Sequence, residues 1–175
     1  MRIFITGRPG IGKTTVFMKT IDLLKKRGLK IIGFYCPEVR EGGRRVGFKI
    51  VDIETGESGW LAVSTDKIGG ECIKRIGRYC LVHEDAERIS RKISEKIDYA
   101  EIIGIDEIGP MELSIYSLKD LIYKMLKTDK KGLYVVHEKI VKDLSKNFSA
   151  IIYEINEFNR DKIYIEIYQR LTKDL

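Results

Sequence analysis

Gly7, Gly12, Lys13 and Thr14 fit the spacing G-x-x-x-x-G-K-[ST] inside the stretch GRPGIGKTT. That spacing makes a phosphate-binding loop, the P-loop. Glycines at its two ends let the backbone turn sharply and come close to a ligand. The loop of Gly7, Arg8, Pro9, Gly10, Ile11 and Gly12 can then turn its amide N–H groups inward around phosphate oxygens. A helix starting near Lys13 adds its positive N-terminal end. Lys13 is placed to reach the β- and γ-phosphates of a triphosphate, and the Thr14 hydroxyl to ligate Mg²⁺.

A loop of this kind needs an acidic partner. Asp106 ends the apolar run Ile102, Ile103, Gly104, Ile105. The metal-binding aspartate belongs in such a place, at the carboxyl end of a sheet strand beside the loop. There it can hold Mg²⁺ directly or through water. Glu107 comes next. Neighbouring residues at a strand end point apart, so bringing both carboxylates to one site needs a turn after Asp106. Gly109-Pro110 supplies one. Glu107 can then polarise an attacking water as general base. An adjacent carboxylate suits hydrolysis, whereas a kinase has no use for activated water. His137 closes the following apolar run, either sensing the γ-phosphate or simply ending a strand. His83 reads as solvated.

Arg40, Arg44 and Arg45 lie around Gly42-Gly43. Phosphoryl transfer spreads charge onto the γ-phosphate, and an arginine from the same chain can stabilise it. Arg40 and Arg45, one on each arm of a hairpin, are the candidates. Two other readings stand beside that one: a charged, solvated hairpin, and a basic lip for nucleic-acid phosphates.

The elements that must position these groups follow from hydrophobic spacing. Ile3, Phe4 and Ile5 form a short buried strand. Phe17, Ile21 and Leu24 keep helical spacing, and Gly28 is placed to end that helix. KIIGFYC (30–36) is a second strand. Residues 36–63 carry hairpin punctuation at Gly42-Gly43 and Thr55-Gly56, an antiparallel insertion in an otherwise alternating chain. A short strand is expected near Tyr79–Val82. A helix is expected over 85–98 with Ala86, Ile89, Ile93 and Ile97 on one face, then the strand ending at Asp106. A helix with Leu118, Leu121, Ile122, Met125 and Leu126 follows. GLYVVHE is a strand, 138–146 a short helix and AIIYEI the last strand. The final helix is expected from about Asn159, with Ile163, Ile167 and Leu171 in line. Strands alternating with helices predict an α/β three-layer sandwich: a mostly parallel sheet covered on both faces.

Length and composition set outer bounds. The 175 residues suit one domain, 1–175, with a sizeable core. Apolar content is 43%, and no apolar run approaches the ~18 residues of a membrane helix. With the P-loop beginning at residue 7, no signal-peptide pattern is expected. Cys36, Cys72 and Cys80 make an odd count without a C-x-x-C pair, and are expected to be reduced, mostly packed thiols. A cytoplasmic, monomeric protein with no membrane partner is the expectation. Lys and Arg number 32 against 26 Asp and Glu, a net charge of +6. The excess suits an anionic substrate. The density of both signs, with one glutamine and three asparagines, suits the ion-pair surface of a thermophile.

Taken together the motifs resemble the small P-loop nucleoside triphosphatases related to human cancer-related nucleoside triphosphatase. Four stretches carry the resemblance: GRPGIGKTT, the insertion GFYCPEVREGGRRVGFKIVDIETGESGWLA, IDEIGPMEL and the NRD before the final helix. The resemblance spans nearly the whole chain. It implies Mg²⁺-dependent hydrolysis of nucleoside triphosphates, ATP and GTP among them, to diphosphate and phosphate with broad base tolerance. The implied fold is a P-loop sheet of the class with an extra catalytic glutamate. Phosphate binding then falls on Gly10, Gly12, Lys13, Thr14 and Thr15, metal binding on Thr14 and Asp106, and water activation on Glu107. Asn159 and Arg160 match a motif associated with the nucleobase end, although Asn159 is equally a good helix N-cap. The segments around His83 and after His137 depart from the family pattern. A nucleotide, nucleoside or RNA-end kinase, and an ATPase serving a nucleic acid, are the rival functions.

Overall fold

A computed structural model describes residues 1–175. The strands, numbered in chain order, are β1 (Arg2–Thr6), β2 (Ile31–Tyr35), β3 (Glu38–Glu41), β4 (Arg44–Asp52), β5 (Ser58–Ser64), β6 (Arg75–Ile76), β7 (Tyr79–Leu81), β8 (Ile102–Ile108), β9 (Lys131–Val136) and β10 (Ile151–Glu154). The helices are α1 (Lys13–Lys26), α2 (His83–Ser94), α3 (Tyr116–Lys127), α4 (Val141–Asn147) and α5 (Ile163–Thr172). All ten strands join one sheet, in the order β10-β1-β9-β8-β2-β4-β5-β7-β6, with β3 pairing on β4.

The apolar runs without alternation make the parallel half, β10-β1-β9-β8-β2. Both faces of such strands must be covered, and two cores cover them. In β1, Ile3 and Ile5 face a core built with Phe17, Ile21 and Leu24 of α1 and with Ile167 and Leu171 of α5. Phe4 faces the opposite core, built with Ile89 and Ile93 of α2 and with Leu118, Ile122 and Met125 of α3. Gly28 closes α1 where expected: its N–H donates to the Lys25 carbonyl at 2.9 Å, and the Leu29 N–H to the Leu24 carbonyl at 3.2 Å. These two bonds satisfy carbonyls that a helix end otherwise leaves open.

The second half of the sheet is an antiparallel wing. It runs from β3 to β7, and so past residue 63, where the insertion was expected to stop. The extra length comes from Arg75–Leu81, which folds back as a two-strand hairpin on the edge of β5.

Three further expectations are corrected. The final helix starts at Ile163 rather than near Asn159, because the Asn159 side chain is bonded back into the preceding loop. The helix expected over 85–98 is shorter, His83–Ser94, with a separate single turn at Ile97–Tyr99. The cysteines are not all thiols: Cys72 and Cys80 form a disulfide, with Cα atoms 5.7 Å apart, and Cys36 alone is free. The pairing depends on the fold of the β6–β7 edge and has no signature in cysteine spacing.

Candidate functional site

The P-loop joins β1 to α1. Gly7 and Gly12 both sit at positive φ, 142° and 112°. A Cβ on Gly7 would lie 2.8 Å from the Ile155 carbonyl oxygen, so a larger residue is excluded by contact as well as by backbone angle. Gly12 is the residue preceding the first turn of α1, and no side chain caps that helix end. Its amides are therefore free for an anion. Lys13 is buried, and its Nζ donates to the carbonyls of Gly7 at 2.8 Å and Arg8 at 3.2 Å. The ammonium is thus held over the P-loop. Ile11 is buried in the α1–α5 core and offers the loop its backbone only. Arg8 pairs with Glu157, while Pro9, Gly10, Thr14 and Thr15 are exposed along the loop and the first turn.

Asp106 was expected on a strand beside the P-loop. Its strand β8 is one place further away, with β9 between it and β1. Side chains alternate along a strand, so Asp106 shares the face of Ile102 and Gly104. That is the α1 face: a Cβ on Gly104 would meet Ile53, Ile21 and Phe17 at 3.1–3.3 Å. The alternation carries the Asp106 carboxyl to the start of α1, beside the Thr14 hydroxyl and the Lys13 ammonium. Asp106 is 4% exposed. Burial pushes it up to about 7, the Thr14 hydroxyl pulls it back, Glu107 pushes it up and Lys13 pulls it down.

Strict alternation would send Glu107 into the opposite core with Ile103 and Ile105. The structure avoids this within the strand itself, not through a turn at Gly109-Pro110. Asp106 pairs with Val135 and Ile108 with Val136, which leaves Glu107 as an extra residue in the β8–β9 ladder. This β-bulge passes the next core position to Ile108, which is fully buried beside Ile103 and Ile105. Bulges re-aim side chains in this way. The Asp106–Glu107 peptide is cis. Glu107 is raised above the ordinary carboxylate range by burial, against the pull of Lys13 and His137. His137 follows β9, its N–H bonded to the Ile108 carbonyl at 3.0 Å. The structure therefore gathers Lys13, Thr14, Asp106, Glu107 and His137 at the carboxyl ends of β1, β8 and β9.

Arg40 and Arg45 are not gathered there. Arg40 Nε donates to Glu38 at 2.7 Å, and Arg45 donates to Glu38 at 3.2 Å and to the Tyr79 hydroxyl at 2.8 Å. Both are held within the wing. Asn159 donates to the Glu154 carbonyl and accepts from the Asn156 N–H, each at 2.9 Å. Its amide builds the loop after β10 and does not cap α5, whose first turn begins at Ile163. Arg160 lies against the P-loop, its Cδ 3.9 Å from where a Gly12 Cβ would be. His83, expected to be solvated, is half-buried with Nε2 enclosed and unbonded.

Glu112 was missed. It is buried beneath the site, its carboxyl pushed up to about 8 by burial and by the nearby charges of Glu107 and Asp106. Its setting in PMEL looks like an ordinary turn, and only the folded path of Gly109–Ser114 puts it under Glu107.

The donor set fits Mg²⁺. A single carboxylate and a hydroxyl are hard oxygen donors, and Mg²⁺ is commonly held by one or two carboxylates together with substrate phosphates. No group of three or more His, Cys, Asp or Glu side chains is arranged for a metal on its own.

Residues 2–168 match the family model described as NTPase. The chain is 42% identical over 175 residues to nucleoside-triphosphatase THEP1 of Saccharolobus solfataricus, covering 100% of this chain and 95% of that protein. To nucleoside-triphosphatase THEP1 of Sulfurisphaera tokodaii it is 45% identical over 176 residues, covering 100% and 97%. Among solved structures it superposes on THEP1 from the hyperthermophile Aquifex aeolicus with a TM-score of 0.81 at 28% identity, over 98% of this chain and 99% of that one. A human cancer-related nucleoside triphosphatase gives 0.80 at 26% identity, over 99% and 98%. No helix is long and apolar enough to cross a membrane. The chain belongs to the NTPase family.

Proposed function

We infer that the chain hydrolyses nucleoside triphosphates to the diphosphate and inorganic phosphate, with Mg²⁺ as its metal and little discrimination between bases. The observation that carries this reading is the bulge at Glu107, which gives the P-loop a second carboxylate at the end of β8. The P-loop amides and Lys13 hold the β- and γ-phosphates. Thr14 and Asp106 would hold Mg²⁺, which when bound neutralises charge on the phosphate oxygens. Glu107 accepts a proton from water as the water oxygen bonds to the γ-phosphorus and the bond to the β-γ bridging oxygen breaks. Preorganised charge around that centre supports the developing negative charge. Most recognised atoms are phosphate oxygens, common to all four triphosphates, which supports broad base tolerance.

We assign the protein to the cytoplasm as a single-domain monomer. The Cys72–Cys80 disulfide is compatible with that compartment in hyperthermophiles, whose intracellular proteins are disulfide-rich. The wing's ion pairs, such as Lys67–Glu41 and Arg44–Asp66, support a thermophilic source. They also engage the basic groups that a nucleic-acid lip would need free.

The test is steady-state phosphate release from ATP, GTP, CTP and UTP, with and without Mg²⁺. The reading expects release from all four within roughly tenfold of one another, about 1.4 kcal/mol, and little without the metal. Transfer of γ-label to a nucleoside or RNA end instead of water would identify a kinase.

A further inference from the structure

Phe158 is 98% exposed, more than any other large apolar side chain of the protein. Single exposed apolar residues are ordinary, but the place of this one is not. It sits in the loop between β10 and α5, and that loop runs along the P-loop. The Ile155 N–H donates to the Thr6 carbonyl at 2.8 Å, Glu157 pairs with Arg8, and Arg160 lies against Gly12. The loop is also braced from within. Asn156 Oδ1 accepts from the N–H groups of Phe158 at 2.9 Å and Asn159 at 3.1 Å, and Asn159 returns a bond to the Asn156 N–H. A braced loop thus presents a bare aromatic ring beside a phosphate site.

Sheet order gives the direction. The reacting end of the site, with Glu107 and His137, lies on the β8–β9 side of β1, whereas β10 lies on the other side. A triphosphate whose γ-phosphate points toward Glu107 must send its nucleoside away from β8 and β9, toward the loop after β10. We propose that Phe158 is the platform on which the nucleobase of the triphosphate stacks. The proposal rests on the triphosphatase reading and adds the residue that receives the base. Stacking on an aromatic ring accepts every base, because each has a π-face. It therefore adds affinity for nucleosides over bare polyphosphate without choosing among bases.

The experiment compares unaltered protein with Phe158→Ala and Phe158→Trp. KM and kcat are measured for the four triphosphates, with the Ki of inorganic tripolyphosphate measured against ATP. Phe158→Ala is expected to raise KM about 5- to 100-fold for each of the four triphosphates, the range of single stacking contacts. Its kcat and the tripolyphosphate Ki should stay within twofold. Phe158→Trp should keep a low KM, and its indole emission should be quenched by ATP but not by tripolyphosphate, beyond any change in the parent protein with Trp60 alone. A KM unchanged within twofold in Phe158→Ala overturns the proposal. So does an equal loss for tripolyphosphate, which would mean a disturbed P-loop, or a change confined to self-association in light scattering, which would make the ring a contact for a second copy. Turnover of all four triphosphates with an indifferent Phe158 removes the platform alone. No turnover of any triphosphate by the unaltered protein overturns the triphosphatase reading and the platform with it.

Discussion

Asp106 and Ile108 are two residues apart in sequence, yet they pair with neighbouring residues of β9, Val135 and Val136. The residue skipped between them is Glu107. One irregularity of register thus separates the carboxylate proposed to hold the metal from the one proposed to activate water, while keeping both at the same strand end. The core loses nothing, because Ile108 takes the apolar position that Glu107 would otherwise occupy.

Lys13→Ala is expected to abolish detectable phosphate release. In the structure Nζ rests on the Gly7 and Arg8 carbonyls of the P-loop, the proposed seat of the β- and γ-phosphates. Calorimetric titration should show triphosphate affinity falling far more than monophosphate affinity. Equal losses for both would remove Lys13 from the β- and γ-phosphates.

Glu112 sets a pH dependence of stability. Its carboxyl is raised from 4.5 to about 8, and that of Asp106 from 3.8 to about 7. Between these limits the folded chain keeps protons that the unfolded chain has released. Stability must then fall as pH rises from about 4 to 8 in metal-free protein. The contribution is complete below the unfolded values and lost above the folded ones. Glu112→Gln keeps an acceptor and removes one titration. It should flatten part of the fall and leave the variant more stable than the parent at pH 8, on the order of 1 kcal/mol or more. Urea unfolding in chelator at several pH values measures this. Parallel curves for the two proteins would mean that Glu112 is ionised when folded.

The hairpin arginines make a sharper case with the structure than without it. Glu38 bonds both Arg40 and Arg45, and they hold its carboxyl below the usual range, Arg40 most strongly. Exposed ion pairs are worth only about 0.2–1 kcal/mol, so parting from Glu38 costs Arg40 little, whereas Arg45 must also leave the Tyr79 hydroxyl. If either arginine works at the γ-phosphate, its alanine variant should lower kcat roughly 10- to 100-fold, less than the ~10³–10⁵ of fingers supplied by partner proteins. KM should change little, the pattern of a contact made in the transition state. Glu38→Gln should then raise kcat. Steady-state kinetics on the three variants decide it, and kcat within twofold throughout ends the finger role.

The chemistry was more legible than the geometry that delivers it. Local spacing alone marks the P-loop, because Gly7, Gly12, Lys13 and Thr14 act within one turn of chain. The apolar run before Asp106 likewise marks a buried strand. The bulge at Glu107 does not show, since it depends on how β8 registers against β9, more than twenty residues away in sequence. The same holds for the Cys72–Cys80 bridge, which needs the β6–β7 turn, and for β9 lying between β1 and β8. Asn159 misled for a local reason. Asparagine is as good at bracing a loop as at capping a helix, and only the partners Asn156 and Glu154 tell which it does.

If Glu107 activates water, its loss must slow the reaction and leave the binding groups, which lie elsewhere, intact. Single-turnover phosphate release by Glu107→Gln, alongside its affinity for Mg²⁺–ATP, tests that most directly. General bases contribute roughly 10²–10⁴ in rate. The expected result is a fall in the release rate of at least ~100-fold, with nucleotide affinity kept within about threefold because the P-loop is untouched. A variant that releases phosphate within a few-fold of the parent rate, at unchanged affinity, would remove Glu107 from water activation.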